Sequence, residues 1–201
     1  SQTHLSGTGR PDLADVRLLP FTGEVPEEDG LKGLKDRDTE RAKVGYYAVT
    51  LTNFGVRAEV TCGRRMAFHR WTSARGGQLH VLVDPQWACA TEGDLANHLL
   101  SWQGHDESDG RTVVGGYRHR AWLTREVHYK LQFGRKWTSR RTLKPRSGDK
   151  APRTVYTFDM PGGKTLEARI AISTTDDAGA ARNFAAEDAL DFESACAETR
   201  R

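Results

Sequence analysis

The sequence lacks any long apolar run, which bears on membrane insertion. No stretch of about 18 consecutive apolar residues occurs, so the sequence predicts no transmembrane helix. Cysteine is scarce as well: Cys62, Cys89 and Cys196 lie far apart and form no CxxC pair. An odd number of scattered cysteines cannot build a complete disulfide framework, so we expect buried free thiols.

Motifs for metal binding and for nucleophilic catalysis are missing too. The seven histidines form no HxxxH, HxH or HExxH pattern, and neither GxSxG nor a Walker loop occurs. His69, His80 and His128 alternate with apolar residues, which predicts positions on the outer faces of strands. No pair of carboxylates suits acid–base catalysis. The net charge of +3, from 30 basic and 27 acidic residues, does not by itself call for nucleic acid.

What the sequence does contain is strand-like alternation along most of its length. The stretch "YYAVTLTNFGVRAEVTC" predicts a hairpin, because Asn53 and Gly55 suit a tight turn. In "REVHYKLQFG", Val127, Tyr129 and Leu131 share one face. Eight or nine such strands, joined by short turns and without βαβ alternation, predict a mainly β fold of the antiparallel β-sandwich type.

The C-terminal segment 176–201 is different, because it is rich in alanine and glutamate. Its composition predicts one or two helices, the first capped by Asp176 or Asp177. The residues compatible with helical spacing are Ala181, Phe184, Ala185, Leu190, Phe192 and Cys196. Two further segments, 24–45 and 134–153, are charged and contain glycine and proline, which predicts surface loops.

The N-terminal stretch "SQTHLSGTGRPDLADVRLLP" places polar side chains around two glycines. The glycines favour a sharp backbone turn, which would leave hydroxyls and amides facing outward. From the residues alone, the stretch is a polar tail, an incomplete phosphate loop or part of an active site. The residues concerned are His4, Ser6, Gly7, Thr8 and Gly9.

Two binding functions compete with an enzymatic one. The five tryptophans could stack on sugars in a free-standing, non-catalytic carbohydrate-binding sandwich, although core packing is their commoner role. A basic cluster with Trp137 inside it could instead hold a polyanion, while the neighbouring acidic loops offset its charge. The cluster consists of Arg135, Lys136, Arg140, Arg141, Lys144 and Arg146.

The opening residues resemble a known family. "THLSGTG" followed by "DLADVRLLPFTG" is similar to the signature of glycoside hydrolase family 92, the calcium-dependent, inverting α-mannosidases of bacteria. The block "GYYAVTLTNFGVRAEVTCGRRMAFHRWTS", with His69 and Arg70, resembles the next part of the family pattern, and more diffuse similarity covers nearly the whole chain. Gln2 stands where the family usually has a histidine.

The resemblance implies a division of labour between two domains. Family members have an N-terminal supersandwich-like domain followed by a large (α/α) barrel. We therefore expect residues 1–175 to form the sandwich, truncated at its N-terminus, and residues 176–201 to form a helical linker toward the barrel. The sequence begins without Met, in keeping with truncation or processing.

The resemblance also implies where the chemistry lies. The catalytic acid and base and most calcium ligands are expected in the barrel, so this chain alone is expected to be inactive. His4, Ser6, Gly7, Thr8 and Gly9 are expected at the domain junction, against sugar or against the barrel. The expected partners are mannose-containing glycans and the barrel of the same polypeptide, with no nucleic acid, in a secreted or periplasmic protein.

Overall fold

The computed structural model describes residues 15–85, 87, 98–120, 124–146 and 148–199. Within these ranges the chain forms twelve strands and two short C-terminal helices. The helices are α1 (Asp177–Ala185) and α2 (Phe192–Glu198). The strands are β1 (Arg17–Phe21), β2 (Lys35–Lys43), β3 (Tyr46–Leu51), β4 (Val56–Cys62), β5 (Met66–Ser73), β6 (Gly77–Asp84), β7 (His98–Asp106), β8 (Thr112–Arg120), β9 (Thr124–Phe133), β10 (Ser139–Thr142), β11 (Thr154–Met160) and β12 (Thr165–Ser173).

The strands form two antiparallel sheets packed face to face, which confirms the predicted mainly β sandwich. The smaller sheet has the order β1-β6-β11-β10, and the larger has the order β2-β3-β4-β5-β12-β9-β8-β7. The predicted hairpin is confirmed, since Leu51 pairs with Val56 across the β3–β4 turn. The core between the sheets is dominated by aromatic rings, among them Trp71, Tyr129 and Phe158.

The predicted number of strands, eight or nine, was too low. β2 and β10 lie in the segments predicted as surface loops, and β7 was not predicted. β2 and β7 are edge strands of the larger sheet and β10 is an edge of the smaller one. Strands with one paired edge and much exposed surface need no apolar alternation. Register shifts in β2 and near Leu99 in β7 further break the pattern of period two.

The histidine prediction was partly wrong. His69 is only 7% exposed and its ring lies 5.4 Å from that of Trp71, on the face directed toward the other sheet. His80 lies on the predicted face, opposite Leu79 and Val81, but it is buried there. Its ring nitrogens are hydrogen-bonded to the Thr157 hydroxyl at 2.9 Å and to the Gly23 carbonyl at 3.0 Å. Burial lowers the pKa of His69 to about 3 and also lowers that of His80.

The two helices cover the outer face of the larger sheet. Asp176 caps α1, as predicted, by accepting a hydrogen bond from the Gly179 amide at 2.5 Å. Phe184, Phe192 and Cys196 pack against apolar side chains of the sheet. Ala181 and Ala185 lie in α1 but are exposed, since the buried face of this helix consists of Gly179, Ala180 and Phe184. Cys62 is exposed as well, contrary to prediction, and Cys89 lies outside the described residues.

Glu187, between the helices, ties this helical layer to the sheet. Its Oε1 atom accepts hydrogen bonds from the backbone amides of Arg64 at 2.8 Å and Arg65 at 3.0 Å, in the β4–β5 turn. Arg70 adds a second link, since it donates to both oxygens of Glu59 at 3.1 Å and to Glu193 of α2 at 2.5 Å. The predicted division near residue 175 stays a prediction. No described helix has the length and apolar character to span a membrane.

Replacing Gly63 with alanine is expected to loosen the helical layer. A Cβ atom there would collide with Glu187 Oε2 and lie 2.8 Å from its Cδ atom, so the buried Glu187 would have to move. We expect Gly63→Ala to lower the free energy of unfolding by about 1–3 kcal/mol, measured by urea unfolding. A Cβ at Gly30 would meet nothing within 4 Å, so Gly30→Ala is the matched control. Equal stability of the two variants would contradict this packing.

Acidification is expected to destabilise the domain through its buried histidines. The unfolded chain takes up a proton at His69 below about pH 6.5, whereas the folded chain keeps this ring neutral down to about pH 3. Stability therefore falls as the pH drops below the unfolded pKa, by about 2 kcal/mol between pH 7 and pH 5 for such a group. We expect His69→Gln to reduce this pH dependence, measured by urea unfolding. An unaltered slope in His69→Gln would contradict the assignment.

Candidate functional site

The predicted site residues His4, Ser6, Gly7, Thr8 and Gly9 lie outside the described residues. The described residues begin at Asp15, two residues before β1. The end of the sandwich where β1 begins, β6 ends and β8 turns into β9 is therefore the candidate functional site. We call it the Asp15 end, defined by Asp15, Arg17, Asp84, Tyr117 and Arg125.

Asp15 is a buried carboxylate, 3% exposed, that contacts two neighbouring strands. The Tyr117 hydroxyl of β8 donates a hydrogen bond to it at 2.6 Å, and Arg125 Nη1 of β9 donates at 2.8 Å. Both partners belong to the larger sheet, whereas the strand that follows Asp15 belongs to the smaller one. Asp15 thus joins the two sheets where the N-terminal segment enters the fold.

Burial and the neighbouring Asp15 carboxylate keep the Tyr117 hydroxyl protonated. Burial raises the pKa of Tyr117 well above its usual value, and the charge of Asp15 adds to the effect. Its hydroxyl therefore donates at all ordinary pH values. A charge-assisted hydrogen bond of this kind is short and roughly twice as strong as a neutral one.

Val16, next to Asp15, has an unusual backbone. Its φ is 41° and its side chain is completely buried. A β-branched residue in the left-handed region is strained, at a cost of about 1–3 kcal/mol. Such a conformation persists only where its surroundings dictate it, and here the side chains on both sides, Asp15 and Arg17, are anchored.

The second anchor is a buried network of two arginines and three aspartates. Arg17 Nη1 lies 3.1 Å from Asp29 and 3.7 Å from Asp84. Arg153 Nε lies 3.3 Å from Asp84 and 3.7 Å from Asp29. Arg153 also pairs with Asp149. Each of these side chains is at most 9% exposed, so removing one partner would leave a buried charge uncompensated.

The neighbouring aspartates keep Arg153 of this network charged. Burial alone would lower the pKa of Arg153, but Asp84, Asp149 and Asp29 outweigh it and raise that pKa. Arg17 also donates a hydrogen bond to the Leu31 carbonyl at 2.7 Å. Its guanidinium also lies 4.4 Å from the centre of the Trp87 ring, an exposed indole at the same end.

The chemistry of the Asp15 end is therefore that of holding and orienting chain segments. Its described carboxylates are bonded to arginine, so they are poorly suited to proton transfer. In the described ranges, no group of three or more His, Cys, Asp or Glu side chains could hold a metal ion. Asp29 and Asp84 are already paired with Arg17 and Arg153, so these two carboxylates do not fit a calcium ion.

The basic cluster of segment 134–153 is largely engaged within the domain. Arg140 pairs with Asp106 at 2.9 Å, and Lys144 pairs with Glu27. Arg146 donates to the Asp29 carbonyl. These contacts offset the charges that a polyanion would need, so the structure disfavours the polyanion alternative.

The described tryptophans mostly serve the core. Trp71 is buried, and Trp102 and Trp137 pack against the main core at its edge. Trp87 is 39% exposed, and Trp122 lies outside the described residues. The broad tryptophan surface considered as a carbohydrate platform is therefore not present among these four side chains.

The geometry defines an antiparallel β-sandwich domain with a rigid, ion-paired end. Comparison with known proteins identifies the family of this domain. The family model described as the glycosyl hydrolase family 92 N-terminal domain matches residues 1–173. The chain belongs to this family, which confirms the resemblance found in the sequence.

Solved structures support the same assignment. A family GH92 alpha-mannosidase from Bacteroides thetaiotaomicron, BT3965, superposes with a TM-score of 0.84 and 28% identity over 98% of this chain and 29% of that one. The inverting GH92 mannosidase BT2199 from the same organism gives 0.72 with 19% identity over 92% of this chain and 25% of that one, a likeness of fold. A bacterial glucoamylase complexed with acarbose gives 0.50 with 9% identity, again a likeness of fold alone.

This chain thus spans less than a third of the length of these enzymes. A search of curated proteins found no match. Sequence reasoning missed Arg17, Asp84, Tyr117, Arg125 and Arg153 as members of the site. The signal that could have found them is weak: charged residues at strand ends resemble solvated positions until their burial is known.

Tyr117→Phe is expected to destabilise the Asp15 end. The change removes one of two described donors to a buried carboxylate, so we expect a loss of about 1–3 kcal/mol in the free energy of unfolding. Tyr47→Phe is the matched control, because Tyr47 also donates to a carboxylate, Glu40, but on a partly exposed edge strand. Urea unfolding of both variants measures the difference. A loss in Tyr117→Phe no larger than in Tyr47→Phe would contradict the anchoring role of Asp15.

Proposed function

We propose that this chain is the N-terminal sandwich domain of an α-mannosidase that hydrolyses terminal α-mannosides with inversion. The observation that carries the proposal is the match to a GH92 alpha-mannosidase over 98% of the chain at 28% identity. The more distant structural relative is itself described as an inverting mannosidase. An inverting enzyme acts by a single displacement, in which water attacks the anomeric carbon directly.

The catalytic carboxylates belong, in this proposal, to a barrel that follows this chain. Inversion needs an acid and a base roughly 6.5–9.5 Å apart with room for a water molecule between them. At the Asp15 end the described carboxylates are committed to arginines, so this part of the domain is built for support. The isolated chain is accordingly proposed to be inactive.

The segment from His4 to Gly9 is proposed to face the junction between sandwich and barrel. Six residue steps join Gly9 to Asp15, which limits their Cα separation to about 21 Å. Asp15 itself is fixed by Tyr117 and Arg125. A rigid point of attachment this close favours a role in which the polar groups of the segment contact the sugar or the barrel.

The remaining parts of the proposal rest on family membership. The partners are mannose-containing glycans and the barrel of the same polypeptide. Calcium would be bound mainly by residues beyond this chain. A secreted or periplasmic location suits an enzyme that acts on glycans outside the cell.

Expression of the complete open reading frame tests the function. We expect it to hydrolyse an aryl α-mannoside, and we expect the 201-residue chain alone to show no turnover. Proton NMR of the first product should show the β-anomer of mannose, because inversion changes the anomeric configuration. Turnover by the chain alone, an inactive full-length protein or the α-anomer as first product would each contradict the corresponding part of the proposal.

His4→Ala in the full-length protein tests the junction. If His4 contacts the sugar, kcat/KM should fall about tenfold or more, equivalent to at least about 1.4 kcal/mol, with an unchanged thermal midpoint. If His4 packs against the barrel, the midpoint should fall instead. His105→Ala, at an exposed position on β7, is the control. A His4→Ala protein with wild-type kcat/KM and wild-type midpoint would contradict placement at the junction.

A further inference from the structure

A polar groove lies on the outer face of the larger sheet, beside its edge strand β7. Its volume is about 200 Å³. Cross-strand pairing of Arg118 with Glu126 and of Gly116 with His128 places these residues together on the face opposite Tyr117 and Val127. We call it the β7 groove; the residues that define it are Ser101, Gln103, Gly116, Arg118, Glu126 and His128.

His128 is held rigidly at one wall of the groove. Its Nδ1 atom lies 2.6 Å from Oδ1 of Asp177, the first residue of α1. Only glycine fits beneath the ring, because a Cβ at Gly116 would lie 2.6 Å from His128 Nδ1. The sequence pair Gly115–Gly116 therefore has a role that the sequence analysis did not assign. The two glycines let Tyr129 and His128 of β9 lie across β8, one on each face of the sheet.

The second ring nitrogen of His128 is left without a hydrogen bond. Nε2 is buried and has no hydrogen-bond partner among the described residues. The nearest carboxylate oxygen, in Glu126, is 3.7 Å away, beyond hydrogen-bonding distance. A buried polar atom with no partner is costly, and such atoms call for an explanation such as a bound water or ligand.

The other groove side chains also have unused hydrogen-bonding capacity. Within the described ranges, the Ser101 hydroxyl and the Arg118 guanidinium form neither a side-chain hydrogen bond nor an ion pair, and both residues are exposed. Gln103 makes only a long contact of 3.4 Å to Asp177. A hydroxyl, a guanidinium, an amide, a carboxylate and an imidazole thus converge on one small space.

The charges in the groove favour a neutral ligand. The groove holds one positive charge, on Arg118, and two negative ones, on its cross-strand partner Glu126 and on Asp177 beside His128, so a phosphate or sulfate gains little there. Donors and acceptors are mixed, as hydroxyl groups require, since each hydroxyl can both donate and accept. The volume is below the roughly 300–1,000 Å³ of pockets for drug-sized ligands, which leaves room for about one small ring.

We propose that the β7 groove binds one neutral hexopyranose unit. The groove is formed wholly by this chain, and it lies on a different face from the buried core side chains of the Asp15 end. Arg118, Glu126 and His128 would contact ring hydroxyls, with Gln103 and Ser101 at the rim. The proposed function guides only the choice of mannose as the first sugar to be tried.

Binding can be measured on the chain itself by NMR. Titration of the ¹⁵N-labelled chain with methyl α-D-mannopyranoside should shift the amide signals of 101–103, 116–118 and 126–128 in a saturable way. A dissociation constant of about 1 mM corresponds to about −4 kcal/mol and is a reasonable affinity for one sugar. Arg118→Ala should weaken binding about tenfold, and Gln103→Ala less. Arg37→Ala, an exposed arginine on the opposite edge strand β2, should leave it unchanged.

Three results would overturn the proposal. They are the absence of saturable shifts with methyl α-D-mannopyranoside and with methyl α-D-glucopyranoside, shifts that Arg118→Ala leaves unaltered, and tighter binding of sodium sulfate at the same amides. Because the titration reports binding and not hydrolysis, its failure leaves the proposed mannosidase function intact. Conversely, an inactive full-length protein would leave the groove proposal to be decided by this titration.

Discussion

The arrangement of this domain depends on a buried carboxylate, Asp15, at the point where the chain enters the sandwich. Two donors from neighbouring strands of one sheet, Tyr117 and Arg125, hold it, and the next residues run directly into the other sheet. The strained backbone of Val16 is tolerated because both of its neighbours are anchored. A carboxylate buried this deeply is stabilising only while its partners remain, so this end of the sandwich is rigid by necessity.

A second anchoring system works on the outer face of the larger sheet. Glu187 and Arg70 fasten the helices by hydrogen bonds and ion pairs, and apolar side chains fill the space between helices and sheet. Asp177, at the start of α1, orients His128 in the β7 groove. The helices therefore cover part of the sheet and also orient a side chain of the β7 groove. Displacing α1 would be expected to alter ligand binding in the groove. The domain offers two rigid regions, one at its end and one on its face.

Much of the fold could be predicted from sequence because alternation reports burial. Val127, Tyr129 and Leu131 face the core as expected, since a half-buried strand must alternate. The polar strand β2 could not be predicted, because an edge strand is stabilised by pairing on one side and not by burial. The alternation of His69 with apolar neighbours predicted an outer face, but those neighbours, Met66 and Phe68, pack with the helices, so His69 lies against Trp71 in the core. The Asp15 end depends on contacts between residues about a hundred positions apart, which local patterns cannot reveal.

In the proposed enzyme, the Asp15 end supports a segment that acts where this sandwich meets a mannoside-hydrolysing barrel. The most direct measurement is a crystal structure of the full-length protein with a mannose-derived inhibitor. We expect His4, Ser6 or Thr8 to lie within hydrogen-bonding distance, about 2.7–3.2 Å, of the inhibitor or of a barrel residue. A structure in which these three side chains contact neither, with the inhibitor bound far from the Asp15 end, would contradict it.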